Sequence, residues 1–153
     1  MHLALFALLI GIVAGLRAFM APTAVSWAAK YGFIALTGTH LAFLGYTWTP
    51  YIFTAFALFE LTTDKLPSTP SRKVPPQFAA RVIMGSLAGA AIGASLGSLV
   101  IGLLCGAIGA VIGTLGGSFV RGKLASAFGR DLPAALLEDV VAIVGSYLIV
   151  THV

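Results

Sequence analysis

Apolar residues run through this chain in long blocks, and the polar positions between them mark where the blocks end. The first block, Leu3 to Ala29, exceeds the roughly 20 apolar residues that cross a bilayer. Arg17 interrupts it and Pro22 follows, which predicts a spanning helix bent or broken just after the arginine, since proline removes a backbone hydrogen bond. Trp27 and Tyr31 close the block as interfacial aromatics would. Residues 32–45 are apolar but short and are broken by Thr37-Gly38-Thr39-His40, a pattern that predicts an interfacial or re-entrant segment. Tyr46, Trp48 and Tyr51 then mark the same interface as Trp27. Thr49-Pro50 predicts a helix start, with threonine as N-cap and proline as first helical residue. That helix runs past Glu60 to Asp64 and Lys65, and Leu66-Pro67 stops it.

A different pattern fills residues 78–119. Gly85, Gly89, Gly93 and Gly97 recur every four residues, as do Gly102 and Gly106, and then Gly109, Gly113 and Gly117. A four-residue step keeps a helix face, so these glycines make bare stripes. In water each would cost roughly 1 kcal/mol of helix stability relative to alanine. In lipid the helix is enforced and small residues let two backbones approach. The stretch predicts a tightly packed helical hairpin of the glycine-zipper kind, turning near Gly97 and Ser98. Asp131-Leu132-Pro133 predicts the last helix, with Asp131 as N-cap, carrying Glu138 and Asp139 and ending near Thr151.

Composition places these blocks in a membrane. Of 153 residues 59% are hydrophobic and only 9% charged, where a soluble domain carries about 25% charged residues. The expected fold class is all-α: one integral-membrane domain of about five spans. The net charge of +4 falls mostly into two short clusters, which suits anionic headgroups and the positive-inside rule rather than nucleic acid. Lys65, Arg72, Lys73 and Arg81 follow the second span, and Arg121, Lys123 and Arg130 the fourth; the hairpin between them puts both clusters on one face. That face reads as cytoplasmic in a bacterial inner membrane, with the amino terminus inside as well. The opening Met-His-Leu lacks a basic signal region, so the first block reads as a retained helix.

The charged residues inside the blocks carry the candidate chemistry. Arginine at a helix centre costs about 2.5–3.5 kcal/mol on insertion scales, so Arg17 needs a partner or water. Glu60, Glu138 and Asp139 are the available carboxylates, in either a structural ion pair or an anion or proton site. Glu60 and Asp64 share a helix face, which reads as a protonatable pair, a metal-binding pair, or carboxylates neutralised by Arg17, Lys65 or Arg81. Glu138 and Asp139 point about a quarter-turn apart, so at most one should meet a given partner. Ser68, Thr69, Ser71, Arg72 and Lys73 set hydroxyls beside cations and could hold a phosphate or lipid headgroup, although no Gly-x-x-x-x-Gly-Lys accompanies them. His2, His40 and His152 have no metal-ligand spacing, Cys105 stands alone, and no catalytic signature appears; no enzyme, metal or cofactor is expected.

Gly15-Leu16-Arg17-Ala18-Phe19, the run Glu60-x-x-x-Asp64-Lys65-Leu66-Pro67 and the alanine-glycine helix after Arg81 together resemble a bacterial membrane family catalogued as domain of unknown function 4126. The resemblance covers the chain from about Gly11 to the middle of the hairpin, or all of it. It implies that Arg17, Glu60, Asp64 and Lys65 belong to one shared feature, and it brings no activity. A weak internal repeat is a further expectation: an arginine-bearing helix precedes an acidic helix in each half. The functional expectation is a small transporter or channel for an ion or solute, working as a homo-oligomer, with a dimer favoured. The rivals are a structural or assembly protein and an anionic lipid-phosphate binder.

Overall fold

The computed structural model describes residues 2–63 and 74–153, so Asp64, Lys65 and the hydroxyl and basic loop of Ser68, Thr69, Ser71, Arg72 and Lys73 lie outside the described residues. Every regular element among the described residues is helical: α1 His2–Leu16, α2 Met20–Lys30, a short 3-10 turn Ala42–Gly45, α3 Thr49–Thr63, α4 Pro75–Ser95, α5 Leu99–Phe128 and α6 Asp131–His152. By length and composition α4, α5 and α6 are each able to cross a membrane, with α5 the longest at 30 residues. The α1 and α3 helices, at 15 described residues each, are shorter.

Missing side chains set how these helices pack. A methyl group added to Gly89 would run into the Gly102 carbonyl, and one on Gly106 into the Gly85 carbonyl, so α4 and α5 meet backbone to backbone, antiparallel. The turn between them holds Gly97 at φ +97°, a conformation glycine adopts without steric cost. Gly97 therefore belongs to the turn and not to the stripe. The second glycine run also divides. Gly102 and Gly106 face α4, whereas Gly109 abuts the Leu8 carbonyl and Gly113 the Ile12 carbonyl of α1. Both registers rise together, so α1 runs parallel to α5. Gly11 and Gly15 complete this contact against Gly106 and the Ala110–Thr114 turn, and α5 is clasped on two sides.

The first block does not form one bent helix. It makes two helices that fold back on each other, and the break falls at residues 17–19, at the arginine and just after it as expected, with Pro22 beyond it. Pro22 sits in the first turn of α2, where a missing N–H is among those with no intrahelical partner. Three observations fix the return. Val13 lies against Gly145 and Arg17 against Asp139, so α1 is antiparallel to α6. Beyond the break, Met20 to Phe33 line a cavity with Ile143 to Thr151, the part of α6 leading away from Asp139. Alongside α3, the Ala18 and Phe19 amides meet Glu60 while Trp27 meets Thr54, so α2 is antiparallel to α3. The α1–α2 pair is thus a hairpin that begins and ends toward the Gly97 end of the bundle.

This fold-back moves the amino terminus. It lies toward the Gly97 end with His152, opposite Lys123 and Arg130, and not beside the basic residues as expected. The two segments of the expected internal repeat also differ in form, since the first is broken and reversed whereas α5 is continuous. Residues 32–45 are largely irregular, with Ile34, Leu36 and Leu44 buried in the apolar core, while Tyr31, Tyr46, Trp48 and Tyr51 are exposed. Two anticipated caps are absent. The Thr49 hydroxyl donates to the Phe43 carbonyl, and Asp131 is the first residue of α6 with its carboxylate on Arg121.

Crowding at the glycines predicts an asymmetry between two single substitutions. Gly106→Ala should lose about 1–3 kcal/mol of stability through overpacking against the Gly85 carbonyl. Gly122→Ala, whose added methyl meets nothing within 4 Å, should be neutral or gain up to about 1 kcal/mol from helix propensity. Unfolding in detergent followed by circular dichroism measures both.

Candidate functional site

A helix that stops inside an apolar bundle leaves carbonyls at one end and amides at the other without helical partners. At the 17–19 break both sets are met by charged side chains from other helices. The Gly15 and Leu16 carbonyls, where α1 ends, accept from Arg81 Nη1 at 3.0 and 2.9 Å. Arg17 Nη1 also donates to the Leu16 carbonyl, at 3.2 Å. On the other side of the break the Ala18 and Phe19 amides donate to the two oxygens of Glu60, at 2.8 and 2.9 Å. The signs match the helix dipoles, with guanidinium at the C-terminal end of α1 and carboxylate at the N-terminal end of α2. Arg81 Nη2 lies 3.6 Å from Glu60 Oε1, so the two caps also pair with each other.

Arg17 itself turns toward α6. Its Nε donates to Asp139 Oδ1 at 2.7 Å, and its Nη1 stands 3.7 Å from Glu138 Oε2. The guanidinium fork thus reaches both neighbouring carboxylates, a correction to the expectation that a partner meets only one; the fork is wide enough to bridge the quarter-turn between them. From Glu138 the pairing continues outward, to Arg121 Nη1 at 3.3 Å and from Arg121 to Asp131 at 2.8 Å. Side-chain exposure rises along this series from 0% at Arg17 to 15% at Arg121 and 59% at Asp131. Among the described residues the network therefore joins three guanidinium groups, Arg17, Arg81 and Arg121, with the carboxylates Glu60, Glu138 and Asp139.

The network is set well within the bundle. Arg81 lies six residues into α4 and Asp139 eight into α6, about 9 and 12 Å from their helix starts at 1.5 Å per residue. Arginine keeps its proton in proteins. A proton crossing this site would have to reside on Glu138, Asp139 or Glu60, and an anion would have to displace one of those carboxylates from a guanidinium.

Of the residues singled out in the sequence, the structure brings together Arg17, Glu60, Arg81, Glu138 and Asp139. Four contributors were missed. Arg121 was seen only as a topology signal and Asp131 only as a cap. Thr114 is fully buried and donates to the Ala110 carbonyl at 2.7 Å, with the Gly15 carbonyl 3.5 Å away. The Gly11–Gly15 pair carries in α1 the same four-residue step that flagged Gly85–Gly89.

The Arg17–Asp139 pair predicts a sharp non-additivity. Asp139→Leu alone should cost about 3–5 kcal/mol by removing the nearer carboxylate from a fully buried guanidinium and leaving it to Glu138, which Arg121 shares, and Arg17→Met with Asp139→Leu should recover most of that loss. Unfolding of the two singles and the double in detergent gives the coupling energy directly.

Residues 4–152 match the family described as Domain of unknown function (DUF4126). No curated protein and no solved structure shows significant similarity to the chain. The match takes in both sides of the 17–19 break and every charged residue that closes it. The chain belongs to the DUF4126 family.

Proposed function

We propose that this is a small polytopic membrane protein of the bacterial inner membrane that moves a small ion or solute through its buried arginine and carboxylate network. The observation that carries the reading is the break at residues 17–19, where α1 and α2 present half-helix ends to Glu60, Arg81 and Arg17 in the bundle interior. In a bilayer, irregular backbone persists only where protein or a water-filled path satisfies it. Half-helix ends near the midplane are where transporters hold charged substrates. The graded series from Asp131 to Arg17 supports this by linking the surface to the interior through exchangeable ion pairs.

The same reading gives four crossings, α3 to α6, with α1–α2 as a re-entrant pair. The positive-inside rule then puts Lys65, Arg72, Lys73, Lys123 and Arg130 in the cytoplasm and both chain ends outside. The glycine stripes of α4 and α5 act as a zipper. A second copy of the chain encloses the pathway, so the working unit is a homo-oligomer, a dimer in the simplest case. Membrane lipids are its surroundings, and the loop Ser68 to Lys73 is a contact for anionic headgroups.

One observation favours a structural role instead. Each interior carboxylate lies on a guanidinium, an arrangement that suits a fixed brace. Flux in proteoliposomes separates the readings. Proton and small-anion flux should be measurable for the native protein and fall at least tenfold in Glu138→Gln, which keeps a hydrogen-bonding side chain in place. Absence of flux across a broad panel of ions, with the protein folded, leaves the structural role.

A further inference from the structure

Glycine in a helix has an explanation when a neighbouring backbone fills the space of its missing methyl. Gly116 has none of that kind, because an added Cβ would meet nothing within 4 Å. It lies instead in the floor of a groove of about 290 Å³ between α1, α5 and α6, with Gly113 and Gly117 beside it. The walls are apolar, from Ile12, Ile112, Leu137 and Val141, and the charged residues among the lining are Arg121 and Glu138. Arg121 Nε and Nη2 hold the two oxygens of Asp131 side-on at 3.1 and 2.8 Å, and the Asp131 side chain is 59% exposed. An exposed carboxylate pair contributes little to stability and exchanges readily. The fork thus has the geometry of a carboxylate seat, occupied on its wet side by an exposed carboxylate and bordered by an apolar groove.

We propose that this groove binds a single-chain carboxylate amphiphile taken from the bilayer, its hydrocarbon chain over Gly116 and its carboxylate replacing Asp131 on Arg121. A planar two-oxygen head matches the side-on fork. A phospholipid presents a bulkier phosphodiester head in place of the planar two-oxygen group. The site stands on the groove and the fork, and it does not require that the protein move an ion.

Native mass spectrometry of the full chain in detergent, with hexadecanoate, hexadecyltrimethylammonium and phosphatidylglycerol as probes, tests it. One hexadecanoate should be retained per chain, with the cationic probe and the phospholipid bound at least tenfold more weakly. Gly116→Leu adds a side chain to the groove lining where a Cβ meets nothing within 4 Å, and should lower hexadecanoate binding at least tenfold with no loss of helicity and no fall in melting temperature. Asp131→Asn removes the competing carboxylate and should raise affinity several-fold. Equal or tighter retention of phosphatidylglycerol, no retention of hexadecanoate, or binding indifferent to Gly116→Leu and Asp131→Asn overturns the proposal. Native flux that persists in a Gly116→Leu variant unable to bind hexadecanoate marks the two roles as separate.

Discussion

An interrupted backbone in an apolar interior has to find hydrogen-bond partners, and the organisation of this bundle follows from that requirement. An unpartnered buried peptide group costs on the order of 1–3 kcal/mol, and the 17–19 break exposes two carbonyls and two amides together. They are satisfied by one carboxylate from α3 and one guanidinium from α4. Importing those charges creates a second requirement, since each must be neutralised in turn. Glu60 and Arg81 neutralise each other, whereas Arg17 draws in Asp139 and Glu138, and through Glu138 reaches Arg121. A chain with only 9% charged residues has gathered much of its charge around one bend.

Glycine makes that gathering possible. The charged side chains converge because α1, α4 and α5 approach until backbone touches backbone, and only residues without a Cβ permit this at Gly11, Gly85, Gly89, Gly106 and Gly109. Close approach carries the α1 terminus to within one side-chain length of α4, so that Arg81 spans the gap with its fork. A wider interface built on leucine would leave the Gly15 and Leu16 carbonyls beyond reach. The glycine stripes and the ion network are two parts of one device, the first setting the distance that the second requires.

Much of this was legible in the sequence, and the rest was hidden for identifiable reasons. Helix periodicity and the bare four-residue step gave the α4–α5 hairpin and its turn at Gly97, because both depend on local spacing. Hydropathy also gave the first block, but an apolar run has a length and no direction, so a folded-back pair reads the same as a tilted span. What reverses it are Glu60 and Arg81, more than 40 residues away in the chain. The fold-back also carries the amino terminus to the Gly97 end of the bundle, away from Lys123 and Arg130. Arg17 was recognisable as needing a carboxylate, but its partner lies 122 residues distant, and nothing local separates Asp139 from Glu60 as acceptors. Only the fold brings Asp139 onto the Arg17 Nε and two backbone amides onto Glu60.

The distribution of glycine separates architecture from anything grafted onto it. Where an added methyl would strike a backbone atom, as at Gly102 or Gly113, the glycine is required by the fold and says nothing further. Where the space is open, the cost in helix stability is uncompensated by packing and asks for another account. Gly122 stands near the end of α5, where helix continuity matters least to the core. Gly116 stands in mid-helix, beside a trough that ends at the outermost guanidinium of the network. A leucine there would bury apolar surface and strengthen the helix, so stability alone favours filling the groove. That the position is bare places the trough among the features the chain keeps despite its fold, and ties it to the charge series that begins at Arg121.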